Sequence, residues 1–202
     1  MPQLNDSFIE KKDFLVKSLG QYADIPADEI NLLADIFKSR NIDKGFFFLQ
    51  QGDHLSTVAL ICSGLFRVFC TDLLGNERTL AFRRAGQFIA GYSPYIENRE
   101  IWYSIQALED AELIFINFSD YLALEKRHPC WTELTKNYMT ELYIEKEDRE
   151  RSLLQEDAST RYLNFKKKYP CYEKNISQYH IASYLGITPV SLSRLRASLK
   201  KD

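Results

Sequence analysis

The chain has 202 residues, 45% of them hydrophobic and 27% charged, with 26 basic against 28 acidic side chains and a formal net charge of −2. That composition excludes collagenous, intrinsically disordered and membrane-spanning classes, and the length allows one large domain or a medium domain with a small appendage. Four cysteines (Cys62, Cys70, Cys130, Cys171) show neither CxxC spacing nor clustering with histidine. They argue against a disulfide framework, a zinc module or an iron–sulfur cluster and are read as buried reduced thiols. No run approaches the roughly 18 apolar residues needed to cross a bilayer, and the first twenty residues hold no uninterrupted apolar stretch, so a cytoplasmic protein with no membrane partner is expected.

The chain divides into three stretches: a first domain over residues 1–129, a long linking helix over 130–157 and a terminal domain over 158–202. Residues 27–38 place Ile30, Leu33, Ala34 and Phe37 at the spacing of one buried helical face. From about 40 to 117 the texture changes to short apolar runs punctuated by Gly45, Gly52, Gly64, Gly75 and Gly86. This pattern predicts many short antiparallel strands closing into a roll, with turns at Gly52-Asp53 and Gly75-Asn76. Ser119 is the expected N-cap of a short helix that His128-Pro129 interrupts. Residues 130–157 contain no Gly or Pro and predict one long helix. Its heptad-spaced stripe Thr135, Met139, Leu142, Lys146, Arg149 and Leu153 offers pairing with a second copy, although Lys146 and Arg149 interrupt the seam.

The small net charge conceals a dipolar chain. Residues 1–157 carry 17 basic and 26 acidic groups, whereas residues 158–202 carry 9 and 2. A basic terminal unit on an acidic body suits a polyanion-binding module. Within that unit, Ile181, Ala182 and Leu185 give a first short helix an apolar face, Gly186 supplies a tight turn, and Thr188-Pro189 caps and starts a second helix. Leu192, Leu195 and Leu199 face inward from it. The result is a helix-turn-helix, and a short connection through Pro170 allows a wing. Candidate DNA contacts are Ser177 and Gln178 at the start of the first helix, and Thr188, Val190, Ser191, Ser193, Arg194 and Arg196 on the second, which would enter the major groove.

The β-roll, the long helix and the terminal helix-turn-helix resemble, in that order, the Crp/Fnr superfamily of bacterial transcription regulators. The segments Gly52-Asp53, Ser63 to Val68, Asp72 to Glu77 and Gly86-Gln87-Phe88-Ile89 stand where that family's roll carries its turns. The resemblance implies an α+β fold with an N-terminal antiparallel β-roll (a double-stranded β-helix or jelly roll), a dimerisation helix over 130–157 and a winged or wingless helix-turn-helix. It also implies a homodimer on double-stranded DNA, with a small-molecule effector and RNA polymerase as further partners. Members that take cyclic nucleotides hold them with a Glu after the Gly-x-Phe-Ile segment and an Arg-Ser/Thr pair some ten residues later. Here Gly91 stands at the first position and Ile101-Trp102-Tyr103 at the second, so the usual cyclic AMP or GMP site is not expected unless Arg83 or Arg99 reaches in. Phe88, Ile89, Gly91, Tyr92, Trp102 and Tyr103 are the candidate lining of a pocket for another effector; alternatively the aromatic residues fill the roll.

No catalytic residue, metal or cofactor is expected. A cupin-like metalloenzyme is the rival from another class, but His54, His128 and His180 are isolated and no HxH pair exists. No GxSxG nucleophile elbow appears either. A β-roll scaffold for a protein partner, its basic tail incidental, is the remaining alternative.

Overall fold

The computed structural model describes residues 6–54, 56–170 and 172–199; Cys171, Lys200 and Lys201 lie outside them. Two helices, α1 (Asp6–Leu19) and α2 (Ala27–Ile36), precede eight strands: β1 (Lys38–Ile42), β2 (Phe47–Leu49), β3 (Thr57–Ser63), β4 (Leu65–Thr71), β5 (Glu77–Arg84), β6 (Phe88–Ala90), β7 (Ser104–Ala107) and β8 (Ala111–Asn117). The short α3 (Tyr92–Ile96) joins β6 to β7. The strands form two four-stranded antiparallel sheets, ordered β1-β8-β3-β6 and β2-β7-β4-β5. The remainder is helical: α4 (Phe118–Arg127), α5 (Pro129–Gln155), α6 (Ala158–Lys168), α7 (Gln178–Leu185) and α8 (Pro189–Ser198).

The strands carry apolar residues on both faces because both faces are covered. Successive side chains of a strand point to opposite sides. Along β3, Ala59 and Ile61 therefore enter the interior of the roll with Phe66, Ile89, Ile105 and Leu113. Val58 and Leu60 instead face outward, where α1, α2, α4 and α5 cover them with Leu15, Ile30, Leu124 and Trp131. The second sheet likewise turns Leu65 and Phe82 away from the roll and onto Phe165, Tyr169, Ala182 and Leu192 of the C-terminal helices. A third apolar cluster thus ties the terminal unit to the β-roll.

Gly64, between β3 and β4, has φ +95° and its missing side chain leaves room for β8: a methyl there would lie 2.4 Å from the Ala111 Cβ. The hairpin at Gly75 is tied by Asp72, whose Oδ1 accepts from the backbone N–H groups of Leu74 (3.0 Å) and Asn76 (2.9 Å). Strand β1 lacks an apolar rhythm; its residues Lys38 to Asn41 are exposed and it forms a sheet edge.

Several sequence expectations are corrected. The N-cap of α4 is Asn117, two residues ahead of Ser119, and no side chain closes it. The break at 128–129 is a joint between two helices: His128 ends α4, and its Nδ1 accepts from the Cys130 N–H (3.2 Å) to start α5. Among the described residues no strand follows Asn117, so the connection through Pro170 runs as turns and forms no wing. Of the described cysteines Cys130 is buried, while Cys62 and Cys70 are partly exposed; all three are free.

Part of the heptad stripe of α5 turns inward, while Lys146 and Leu153 stay exposed. Met139 and Leu142 pack on the cluster between the β-roll and its covering helices. The Arg149 guanidinium donates to the Thr79 carbonyl of β5 (3.0 Å) and lies 4.1 Å from the centre of the Tyr184 ring. Apolar exposure falls on Leu153 of the stripe and, off it, on Tyr143 (66%), Ile144 and Leu154 (78%). Three cationic or apolar groups of the predicted seam are therefore already occupied within the same chain.

Candidate nucleic-acid interface and sensor roll

The basic unit starts at α6, where the Asp157 carboxylate accepts from the Thr160 N–H (2.7 Å) and caps the helix. Asp157 is held below the usual carboxylate range by the Thr160 backbone and side chain. Exposed Lys166, Lys167 and Lys168 occupy the last turn of α6, where cations complement the helix dipole. The Ser177 hydroxyl caps α7 by accepting from the His180 N–H (3.2 Å). Gly186 ends that helix at φ +69°, and the Ile187 N–H returns to the Ala182 carbonyl (3.0 Å). Thr188 then caps α8 by accepting from the Ser191 N–H (3.1 Å), with Pro189 in the first turn.

This local chemistry fixes what α8 shows to solvent. Leu192 is 0% exposed and anchors the helix, while Leu195 and Leu199 are partly buried against the same cluster. Burying one such leucine contributes about 1.5–3 kcal/mol. Opposite it, Val190 is 60% exposed, and Ser191, Ser193 and Arg194 are exposed as well. Arg194 makes no hydrogen bond or ion pair among the described residues, which leaves its guanidinium free to donate to a phosphate or to a base edge.

Arg196 belongs elsewhere. Its Nε donates to the Tyr162 hydroxyl (3.0 Å) and its Nη2 to Glu173 (3.0 Å), so it ties α8 to α6 rather than standing on the exposed edge. Ser177 and Thr188 carry capping duties in addition to any external contact, and Gln178 is exposed beside the first cap. Sequence spacing could place Arg196 on an outer face; it could not reveal that Glu173, in the irregular connection, curls back to meet it.

The six residues grouped as an effector lining do not share one pocket. Ile89 faces the roll interior, whereas its neighbour Phe88 faces outward onto Tyr22 and Tyr138. Phe88 and Tyr92 line a small apolar cavity of about 70 Å³ under α1 and α5, together with Leu19, Trp131 and Tyr138. Tyr92 and Tyr95 pack on Phe118. Trp102 is half exposed, edge-on to Tyr103, whose hydroxyl donates to the Ala90 carbonyl (2.7 Å). At Gly91 the roll is filled by Ile101: a methyl on Gly91 would lie 2.9 Å from the Ile101 Cδ1, and Ile101 is 1% exposed.

Both arginines considered for this region are already paired with carboxylates. Arg83 is buried and pairs with Glu145 of α5 (3.0 Å). Burial works most strongly against the Glu145 charge, yet Arg83 and Lys168 together hold its carboxyl below the usual range. Arg99 is exposed and pairs with Glu97.

The roll geometry coincides with a known sequence family, described as "Cyclic nucleotide-binding domain", which matches residues 39–128. The chain aligns with a Cyclic AMP receptor protein of Thermus thermophilus at 36% identity over 102 residues, 50% of this chain and 47% of that protein. The chain thus matches about half the length of this curated relative.

Similarity to solved structures extends past residues 39–128. The Thermus thermophilus Catabolite Activator Protein matches with a TM-score of 0.57 and 28% identity, covering 91% of this chain and 87% of that one. The c-di-GMP responsive global regulator CLP of Xanthomonas campestris matches at a TM-score of 0.71 and 16% identity, covering 88% and 93%. FixK2 from Bradyrhizobium japonicum matches at 0.69 and 17%, covering 82% and 85%. The chain shares its fold with these three proteins. No helix among the described residues is long and apolar enough to cross a membrane.

Proposed function

We propose that this chain is a sequence-specific, DNA-binding transcription regulator of the Crp/Fnr type. The supporting observation is the exposed edge of α8: Ser191, Ser193 and Arg194 lie in solvent while Leu192 is fully buried behind them. Thr188, Val190, Ser177 and Gln178 flank that edge. Hydroxyls in the first half of a helix and a free arginine at its middle suit phosphate oxygens and base edges in the major groove, and Val190 suits a thymine methyl. In this reading residues 1–129 sense, 130–157 link and dimerise, and 158–202 bind DNA.

The active species is a homodimer through α5, whose exposed Tyr143, Ile144 and Leu154 offer apolar surface to a second copy. Two recognition helices then meet half-sites about 34–36 Å apart. A signal acts by favouring one relative placement of those helices, and it shifts the population only as far as its affinity differs between the two states. The sensor does not take cyclic AMP or GMP in the usual way. Ile101 fills the space above Gly91, and a cyclic phosphate without a cationic partner is poorly compensated. Selection from a randomised duplex pool, followed by anisotropy titration of the winning sequence, tests the reading: enrichment of a two-fold symmetric sequence is expected, and no enrichment above background overturns it.

A further inference from the structure

Among the described residues two buried side-chain polar atoms lack a partner, and both lie where the first helix of the helix-turn-helix meets the sensor: Arg67 Nη2 and His180 Nδ1. Buried polar atoms are almost always paired, so each orphan asks for a reason. Arg67 of β4 is otherwise committed; its Nε donates to Thr79 Oγ1 (2.9 Å), its Nη1 pairs with Glu77 (2.5 Å), and its guanidinium lies 4.2 Å from the Phe69 ring centre. The charges acting on His180 are this Arg67, from β4, and Glu77, from β5. Arg149 of α5 reaches the same contact at the Thr79 carbonyl, and on its own helix His180 meets the Tyr179 ring.

That contact is a built junction. Strand β5 is the edge of its sheet, so its outward N–H and C=O groups have no strand partner. The Ser183 hydroxyl of α7 serves both kinds: it accepts from the Thr79 N–H (2.9 Å) and donates to the Glu77 carbonyl (3.2 Å). Arg149 takes the Thr79 carbonyl (3.0 Å). The terminal unit therefore completes the sensor's sheet edge through a single serine, beside a histidine that has no acceptor for a second proton and a fixed cation for a neighbour.

We propose that this α7–β5 junction is an acid-released latch, in which protonation of His180 against Arg67 undocks the helix-turn-helix from the sensor. Burial first, then Arg67, lower the His180 value from 6.5 to about 4, with Glu77 opposing. Because the docked value is depressed, docking is fully favoured above about pH 6.5 and weakens as pH falls toward 4. Linkage between those two values weakens docking about tenfold between about pH 7.5 and 5.5. The consequence for gene control rests on the DNA-binding reading; the latch itself does not.

The test uses the intact chain without DNA. The Thr79 amide is protected from hydrogen exchange by Ser183 and not by a neighbouring strand, so its protection, corrected for the intrinsic pH dependence of exchange, reports docking. Protection should fall about tenfold between about pH 7.5 and 5.5, stay flat in His180→Gln, and leave the inner-ladder amide of Val68 unchanged. An unchanged Thr79 protection, or the same fall in His180→Gln, overturns the proposal. If His180→Gln does not fold, the wild-type ring decides: an NMR midpoint clearly below 6 supports the latch, and one at its ordinary value refutes it. A chain that binds no duplex yet shows these results would sink the function and leave the latch standing.

Discussion

The Gly91–Ile101 contact makes a prediction whose sign changes with background. Ile101→Ala removes about 2.4 kcal/mol of transfer free energy for its three carbons, and the cavity left behind brings the expected loss to about 2–5 kcal/mol. Gly91 has φ −96°, outside the left-handed region, so alanine is tolerated by the backbone. In the wild type, however, the new methyl would lie 2.9 Å from the Ile101 Cδ1 and 3.4 Å from its Cγ1. Overpacking of this kind costs about 1–3 kcal/mol and outweighs the roughly 0.4–1 kcal/mol gained by restricting the unfolded chain. Gly91→Ala should therefore destabilise the wild type. In the Ile101→Ala background the clash is gone and the same substitution should stabilise, giving a coupling of about 1 kcal/mol or more. Urea unfolding of the four proteins, read at constant m-value, measures it. The same sign and size in both backgrounds would refute the claim that Ile101 occupies the space over Gly91.

Arg194→Ala should weaken binding to a selected duplex by about 1–3 kcal/mol while leaving the unfolding midpoint unchanged. Arg196→Ala should do the reverse in the main, loosening α8 from Tyr162 and Glu173; anisotropy and thermal melts on both variants separate the two roles. Glu29, buried under Trp131 and Arg127, accepts from Trp131 Nε1 (2.9 Å) and Arg127 Nε (2.9 Å), and Trp131 before all else holds its carboxyl below 4.5. Its contribution is present above about pH 4.5 and lost as pH falls through the lowered value, so Glu29→Gln should flatten the acid limb of a stability-versus-pH curve. Leu192→Ala should cost about 2–5 kcal/mol, read as early loss of the C-terminal helices in native-state hydrogen exchange.

The roll was legible because glycine and short apolar runs mark its turns and strands from β2 to β8. Strand β1 escaped because its sequence, KSRNI, has four exposed positions and no alternation; it is held by pairing with β8. Likewise the helix-turn-helix followed from local signals, capping Thr188, left-handed Gly186 and the Leu192 spacing, each of which acts within a few residues. What sequence could not give was choice between partners far apart in the chain. Met139, Leu142 and Arg149 have the spacing of a dimer seam, yet sheet edges and core surface of their own chain claim them first. Arg196 has the look of a DNA contact until Glu173 arrives, and Phe88 and Ile89 separate because neighbours on a strand face opposite ways.

The account depends above all on α8 reading a duplex as one of a symmetric pair. Footprinting of the protein on a sequence selected from random duplexes tests this most directly. Two protected half-sites centred about 34–36 Å apart and related by a two-fold axis are predicted. A single asymmetric patch, or protection that survives removal of the α8 edge by Ser191→Ala/Arg194→Ala, would contradict it.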